Sequence, residues 1–196
     1  MLKAIVFDLD NTLVSCSLNF SRLREVLGCP DDMDLLEHAS SHPSVTERKR
    51  LHAIIIEHEI EDAKSSSLMK GASELLLWMT LAKLYSGVIT RNCHQAAQAK
   101  LDANELKIEV LITREDFPAK PDPTALFHLM ECWHLASKEV LYVGDHEYDV
   151  LTAKNAGCLS CLITNGDHVA PEQTQADLIF SSLEELHQHI INSGYY

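Results

Sequence analysis

Two aspartates two residues apart, Asp8 and Asp10, follow the apolar run Ala4–Phe7 near the start of the chain. Residues two apart in a strand face the same side, so the two carboxylates would lie close together. Such carboxylates repel each other and need a partner if both are to stay ionised. Because Mg²⁺ accepts several carboxylate ligands, the pair predicts metal-assisted chemistry. The alternative is an ordinary turn after a buried strand, which Asp and Asn also favour.

Further polar residues follow three other segments of the chain, where strands are predicted to end or a helix to begin. They are Thr90, Arg91, Asn92, Lys120, Asp145 and Asp149. Each alone has a simpler explanation as a helix cap, a solvated lysine or a helix-surface charge. In a parallel sheet, however, all of these strand ends lie along the edge where ligands bind. Together they suit phosphoryl transfer, in which a carboxylate attacks phosphorus while a metal, a lysine and a hydroxyl bind the phosphate oxygens.

The same residues, in this order, resemble the four motifs of the haloacid dehalogenase superfamily, subfamily I. Within it they resemble the phosphoglycolate-phosphatase-like hydrolases with a small helical cap. The segment from Asp8 to Thr12 resembles the first motif, Thr90 the second and Lys120 the third. The segment from Gly144 through Asp145 to Asp149 resembles the fourth. The resemblance covers essentially the whole core, and the full set of motifs is highly specific.

The resemblance implies a role for each motif residue. Asp8 would be the nucleophile, and Asp10 would protonate the leaving group and then activate water. Thr90, Arg91, Asn92 and Lys120 are predicted to bind substrate, with Thr90 and Lys120 also counted as catalytic. Mg²⁺ would be held by Asp8, the carbonyl of Asp10, Asp145 and Asp149. Asn11, Arg91 and His146 depart from the family pattern; Arg91 either binds a second anionic group on the substrate or faces outward.

The function predicted from these motifs is Mg²⁺-dependent hydrolysis of a small phosphorylated metabolite through an aspartyl-phosphate. An acid at position 10 favours phosphatase chemistry over cleavage of carbon–halogen bonds. A phosphomutase of the same superfamily remains an alternative, because nothing in the motifs separates the two. A non-catalytic phosphate-binding protein is a further alternative. A signalling receiver domain fits less well, since its phosphorylated aspartate ends a middle strand and it lacks a long insert after the first.

Strand-length apolar runs recur at 4–7, 86–89, 108–112, 139–143, 159–163 and 177–180. They lack strict polar alternation, which is typical of strands buried on both faces. Helical patterns lie between most of them. Asp122 and Pro123 predict an N-cap and first residue of one helix, and Ser182 with Glu185 predicts a capping box. The alternation predicts an α/β fold with a doubly wound parallel sheet.

One connection is unusually long, because about seventy residues separate Leu13 from the next predicted strand, where a plain crossover needs roughly a dozen or more. Helices are predicted near 19–27, 31–40 and 44–64, the last opened by a capping box of Ser44 and Glu47. We predict a helical cap over residues 14–68, on a core formed by residues 1–13 and 69–196. The basic run at 48–50 either contacts substrate or is a solvated helix face, the commoner case.

The 196 residues, 46% of them apolar, suit one sizeable domain with a small insert. A formal net charge of -13 argues against a nucleic-acid partner. No stretch approaches transmembrane length, and the N-terminus lacks a signal-peptide pattern, so no membrane partner and a cytoplasmic location are predicted. Cys158 and Cys161 have metal-ligand spacing but no matching second pair, so reduced thiols are predicted. The sequence leaves the oligomeric state open.

Overall fold

A parallel sheet forms the centre of the computed structural model, which describes residues 1–167 and 174–194. Within those residues its strands are β1 (Ala4–Phe7), β2 (Tyr85–Ile89), β3 (Val110–Ile112), β4 (Val140–Gly144), β5 (Leu159–Ile163) and β6 (Leu178–Phe180). Their order is β3-β2-β1-β4-β5-β6, with every neighbouring pair parallel. The predicted α/β class and doubly wound sheet are confirmed.

Helices cover both faces of this sheet. In the described part of the chain they are α1 (Phe20–Leu27), α2 (Leu35–Ser41), α3 (Val45–Ala63), α4 (Ala72–Ala82), α5 (His94–Ala103), α6 (Thr124–Trp133), α7 (Glu147–Ala156) and α8 (Leu183–Ser193). α4, α5 and α8 pack on one face, and α6 and α7 on the other. Within those same residues, no helix is both long enough and apolar enough to cross a membrane.

Strand β1 is buried from both sides, which explains its unbroken apolar sequence. Ile5 and Phe7 pack into the cluster under α4, α5 and α8, while Ala4 and Val6 pack into the cluster under α6 and α7. All four have no exposed surface. Because the strand lies between β2 and β4, the residues that follow it emerge at the middle of the sheet edge.

Helices α1 to α3 lie between β1 and α4 in the sequence. They pack together around an apolar cluster of their own, which includes Leu23, Leu51 and Ile55. The chain enters and leaves this segment at adjacent points, since Ser15 N donates to Ser67 O at 2.7 Å and Met69 N donates to Leu13 O at 2.9 Å. The division into core and cap stays a prediction, but these contacts lie at the boundaries that it uses.

Two helix starts differ from the sequence-based expectation. α2 begins at Leu35 rather than near residue 31, because the Asp34 carboxylate accepts hydrogen bonds from the Leu36 and Glu37 amides. α6 begins at Thr124 with Pro123 as its N-cap, one residue later than predicted. Asp122 Oδ1 still accepts from Thr124 N at 2.9 Å, so the predicted capping side chain is used from one position further out.

Candidate active site

Three strand ends and one loop bring the predicted motif residues to a single cavity of about 540 Å³. Asp8 follows β1, Thr90 follows β2 and Asp145 follows β4. Their strands are neighbours in the sheet, so their side chains converge at its carboxyl edge. The other predicted site residues that line the same cavity are Asp10, Arg91, Asn92, Lys120 and Asp149.

Lys120 joins two of the carboxylates. Its Nζ donates to Asp8 Oδ1 at 2.7 Å and to Asp149 Oδ1 at 2.5 Å, and the side chain is only 4% exposed. Burial acts to lower the pKa of Lys120, but Asp149 and Asp8 raise it well above its usual value. The lysine is therefore held as a cation beside Asp8, where a phosphate group would approach.

Asp149 packs against Gly144 so closely that any larger residue at position 144 would collide with it. A Cβ on Gly144 would lie 2.1 Å from Asp149 Cγ. Asp149 Oδ2 also accepts from His146 N at 3.1 Å, which fixes the carboxylate at the start of α7. The Gly-Asp pair at the end of β4 therefore has a steric reason: the glycine makes room for the second aspartate.

The carboxylates of Asp8, Asp145 and Asp149 can each present an oxygen within 4.8 Å of the others. Burial, followed by Asp8 and Asp149, raises the pKa of Asp145 to about 7. Burial also raises the pKa of Asp149 to about 6, although Lys120 opposes it. Because three carboxylates here face one ammonium group, the cluster carries uncompensated negative charge. Hard oxygen donors with excess negative charge fit Mg²⁺.

Asp10 points to different partners from Asp8. Its Oδ2 accepts from Asn92 Nδ2 at 2.8 Å and its Oδ1 accepts from Lys100 Nζ at 2.5 Å. Burial raises the pKa of Asp10, with Lys100 lowering it and Asp8 adding to the rise. Its carboxylate lies outside the cluster of Asp8, so only its backbone carbonyl stays predicted as a metal ligand.

Lys100 is a residue that the sequence reasoning missed. It has no exposed surface, and besides Asp10 its Nζ contacts Asp62 Oδ2 at 2.6 Å. Asp62 lies near the end of α3, and its other oxygen accepts from Ser17 N and Ser17 Oγ at 2.7 and 2.8 Å. Lys100 lies within α5, ten residues after Thr90, where its sequence neighbours give no sign that it is buried.

Thr90 and Asn92 form one hydrogen-bonded unit. Thr90 Oγ1 accepts from Asn92 N at 3.2 Å and from Asn92 Nδ2 at 3.0 Å. Both side chains are buried. Since the hydroxyl accepts these bonds, its own proton remains to be donated toward the cavity. This arrangement allows Thr90 to bind a phosphate oxygen.

Arg91 is paired within the protein. Its Nη2 lies 2.7 Å from Asp34 Oδ2, and its guanidinium carbon lies 4.9 Å from the centre of the Tyr148 ring. The Arg91 carbonyl accepts from Arg114 Nη1, which also contacts the buried Glu59 at 2.6 Å. Arg91 is one of the residues that line the cavity, and binding of a second anionic group by its guanidinium stays a prediction.

The basic run at 48–50 does not reach this cavity. Arg48 donates to the carbonyls of His42 and Pro43, and Arg50 pairs with Glu47 at 2.8 Å on the surface of α3. His146 does line the cavity, and burial, followed by Lys120 and Arg91, lowers its pKa. This lowering favours the neutral imidazole.

Comparison with known proteins points to one family. A family model described as haloacid dehalogenase-like hydrolase matches residues 15–163. The chain is 28% identical to a haloacid dehalogenase-like hydrolase domain-containing protein of Arabidopsis thaliana, over 99% of this chain and 85% of the relative. It is 26% identical to a phosphoglycolate phosphatase of Vibrio cholerae, over 84% of this chain and 85% of the relative. A solved hydrolase structure from Pseudomonas syringae superposes with a TM-score of 0.80 at 20% identity, covering 97% of this chain and 98% of the other.

Proposed function

Because the chain belongs to the haloacid dehalogenase-like hydrolase family, we propose that it is a Mg²⁺-dependent phosphatase that acts through a phosphoryl group on Asp8. The observation that carries this proposal is the contact of Lys120 Nζ with Asp8 Oδ1 at 2.7 Å and with Asp149 Oδ1 at 2.5 Å. An ammonium group fixed beside a carboxylate nucleophile offsets the repulsion that an approaching phosphate would meet. The substrate is a phosphate monoester small enough for the cavity.

In the first step, an oxygen of Asp8 attacks phosphorus while the bond from phosphorus to the alcohol oxygen breaks. Asp10 gives its proton to the departing alcohol oxygen. Burial raises the pKa of Asp10 even though Lys100 opposes the change, which favours the protonated form that this step uses. The products of the step are the free alcohol and a phosphoryl-aspartate.

In the second step, Asp10 is a carboxylate and takes a proton from water as the water oxygen attacks phosphorus. The bond from phosphorus to Asp8 breaks, which releases inorganic phosphate and restores the nucleophile. Asn92 and Lys100 each donate to one oxygen of Asp10, so they hold the base in a fixed orientation.

The phosphoryl group would be bound by the hydroxyl of Thr90 and the ammonium group of Lys120. The carboxylates of Asp8, Asp145 and Asp149, with the carbonyl of Asp10, would hold Mg²⁺, which when bound neutralises negative charge on the phosphoryl oxygens. The donor set supports this choice, because it consists of oxygen atoms in a cluster with excess negative charge.

We further propose that residues 14–68 act as a cap over the site. Two observations support this role: α1, α2 and α3 share their own apolar cluster, and residues of this segment line the cavity together with the strand-end residues. An insert placed directly after the first strand lies above the carboxyl edge of the sheet, where it can shape the space for the alcohol part of a substrate.

Release of inorganic phosphate from a panel of metabolite phosphate monoesters tests this proposal. Activity should require Mg²⁺, stop in excess chelator and fall at least about a thousandfold in Asp8→Asn. Asp102→Asn, an exposed change on α5, is the matched control and should keep normal turnover. Dependence on a sugar bisphosphate activator would indicate a phosphomutase instead, and no turnover of any ester would contradict an enzymatic role.

A further inference from the structure

The part of the cavity that faces away from the phosphoryl-binding residues is built largely by the segment between β1 and α4. Its lining is mainly apolar and includes Leu18, Phe20, Leu23, Met33 and Leu36. Since Asp8, Thr90 and Lys120 would bind the phosphoryl group at the sheet edge, the alcohol part of a substrate must extend into this region. Its surface therefore selects among phosphate esters.

The positively charged side chains that line the cavity all have partners within the described residues. Lys120 is bound to Asp8 and Asp149. Arg24 Nη1 donates to the carbonyls of Pro30 and Met33 at 2.6 and 2.7 Å. The remaining cation, the Arg91 guanidinium, is paired with a carboxylate and lies over an aromatic ring, as described above. Both arginines keep N–H groups that these contacts do not use, but Asp34 offsets the charge by which Arg91 would attract a substrate carboxylate.

Negative charge is in excess at the same end of the cavity. Asp31 and Asp32 line it and are exposed, and Asp34 lies two residues further along the chain with Arg91 as its partner. A second anionic group on the substrate would approach these carboxylates as well as lose its own hydration. Like charges placed together in this way disfavour one class of ligand and so give specificity.

We propose, resting on the phosphatase function above, that this enzyme selects phosphate monoesters whose alcohol part carries no anionic group, and that Asp34 enforces the selection by offsetting the charge of Arg91. The preferred alcohols are neutral or amine-bearing and present a carbon surface to Leu18, Phe20 and Leu23. Phosphoglycolate, which appears in the name of the Vibrio cholerae relative, carries a carboxylate and belongs to the class of esters that is rejected.

Asp34 offers a substitution that separates this role from its structural one. Its Oδ1 caps α2 by accepting from Leu36 N and Glu37 N at 3.0 and 3.1 Å, while its Oδ2 pairs with Arg91. In Asp34→Asn the amide oxygen keeps the cap, since Asn is as good an N-cap as Asp. The charge opposite Arg91 is removed, so the guanidinium becomes available to a substrate carboxylate.

The test measures kcat/KM, with Mg²⁺ present, for phosphoglycolate, glycerol phosphate and phosphoethanolamine, and its readout is phosphate release. For the wild type, the two esters without a carboxylate should exceed phosphoglycolate by about tenfold or more. Asp34→Asn should raise the value for phosphoglycolate, relative to the other two esters, by about five- to tenfold. Glu37→Gln is the matched control. It also removes one negative charge, from the first turn of α2, but Glu37 does not line the cavity, so the ratio should stay unchanged.

A wild-type preference for phosphoglycolate would overturn the inference while leaving the phosphatase function intact. An unchanged ratio in folded Asp34→Asn would overturn the role of Asp34, and the wild-type ratio stands as evidence even if that variant does not fold. If the wild type released no phosphate from these esters or from para-nitrophenyl phosphate, the phosphatase function itself would fail, and this inference with it.

Discussion

Among the residues that the structure describes, two buried lysines, Lys120 and Lys100, each bridge two carboxylates. Lys120 contacts Asp8 and Asp149 at 2.7 and 2.5 Å. Asp8 directly follows β1, and Asp149 lies in the first turn of the helix after β4, so this bridge lies wholly at the sheet edge. All three of its residues belong to sequence motifs that point to phosphoryl transfer.

Lys100 makes a bridge of similar geometry but different placement. It contacts Asp10 at 2.5 Å and Asp62 at 2.6 Å, and Asp62 belongs to α3, which is part of the insert. The two aspartates that open the chain are therefore held by different cations: Asp8 by one at the sheet edge, Asp10 by one shared with the insert. This difference supports the proposal that Asp8 acts as the nucleophile and Asp10 as the acid and base.

Among the substitutions that compare the two bridges, replacing Lys120 should give the largest effect. Lys120→Met should lower phosphate release by about a hundred- to a thousandfold for every ester, because Asp8 and the phosphoryl group both lose their cation. The control is Lys154→Met, which breaks a pair with Asp177 at 2.5 Å outside the cavity lining. Circular dichroism must show that the variant is folded, since breaking a buried pair costs about 3–5 kcal/mol. Turnover within tenfold of the wild type would contradict the role of Lys120.

The next largest effect is expected on the stabilisation by Mg²⁺, which should depend on the carboxylates near Lys120 and not on Asp62, the partner of Lys100. At a hundredfold excess over its Kd, Mg²⁺ should stabilise the protein by about 2.7 kcal/mol, which raises the Tm by several degrees. Asp145→Asn should remove this shift, whereas Asp62→Asn should keep it. A shift that survives in Asp145→Asn would place the metal elsewhere.

The pH dependence of that shift follows from Asp145, whose folded pKa is raised from 3.8 to about 7. Without metal, this group contributes stability that is present below pH 3.8 and is lost as the pH rises toward 7. Since Mg²⁺ binds the ionised carboxylate, the rise in Tm should be larger at pH 8 than at pH 6. Thermal unfolding at both pH values, with and without Mg²⁺, checks this; an equal rise at both would contradict it.

Replacing Lys100 should have a smaller effect that depends on the ester. In Lys100→Met, kcat/KM for glycerol phosphate should fall by about tenfold or more, because the acid that protonates its alkoxide is no longer held in place. For para-nitrophenyl phosphate the loss should be small, since that leaving group departs without a proton. Because kcat/KM reports steps through transfer to Asp8, the ratio isolates the acid step. Equal losses for both esters would indicate a purely structural role.

The smallest effect is expected at Asp62. Asp62→Asn should lower turnover of alkyl esters only about threefold, since Lys100 still contacts Asp10 and one charged hydrogen bond is weakened. Glu61→Gln is the matched control, being an exposed neighbour whose partner is Lys64. If Asp62→Asn lost as much activity as Lys100→Met, then Lys100 alone would not hold Asp10 in place, and the contact with the insert would be needed as well.

Most of the sheet could be predicted because its strands are buried on both faces. Unbroken apolar runs such as Ala4–Phe7, separated by helical patterns, are typical of strands in a parallel sheet. The strand ends then place Asp8, Thr90 and Asp145 together without further information, since parallel strands share one edge. The start of α2 was less predictable, because it depends on which acidic residue of the 31–34 segment caps the helix.

The second bridge could not be predicted, for a physical reason. Lys100 is buried only because Asp10 and Asp62, ninety and thirty-eight positions away, arrive at the same place. Its own helix contains small and polar residues that are equally typical of an exposed helix face. Likewise, Arg91 follows a motif residue in sequence, but its pairing with Asp34 depends on how the insert folds back over the sheet edge.

In the proposed mechanism, Asp8 carries the phosphoryl group, and Asp10 deprotonates the water that releases it. In Asp10→Asn, para-nitrophenyl phosphate should still transfer its phosphoryl group, because that leaving group needs no acid, while the missing base slows attack by water. After rapid acid quenching, mass spectrometry should find the added mass of one phosphoryl group on the peptide that contains Asp8. No adduct together with undiminished turnover, or an adduct on a different residue, would contradict the account.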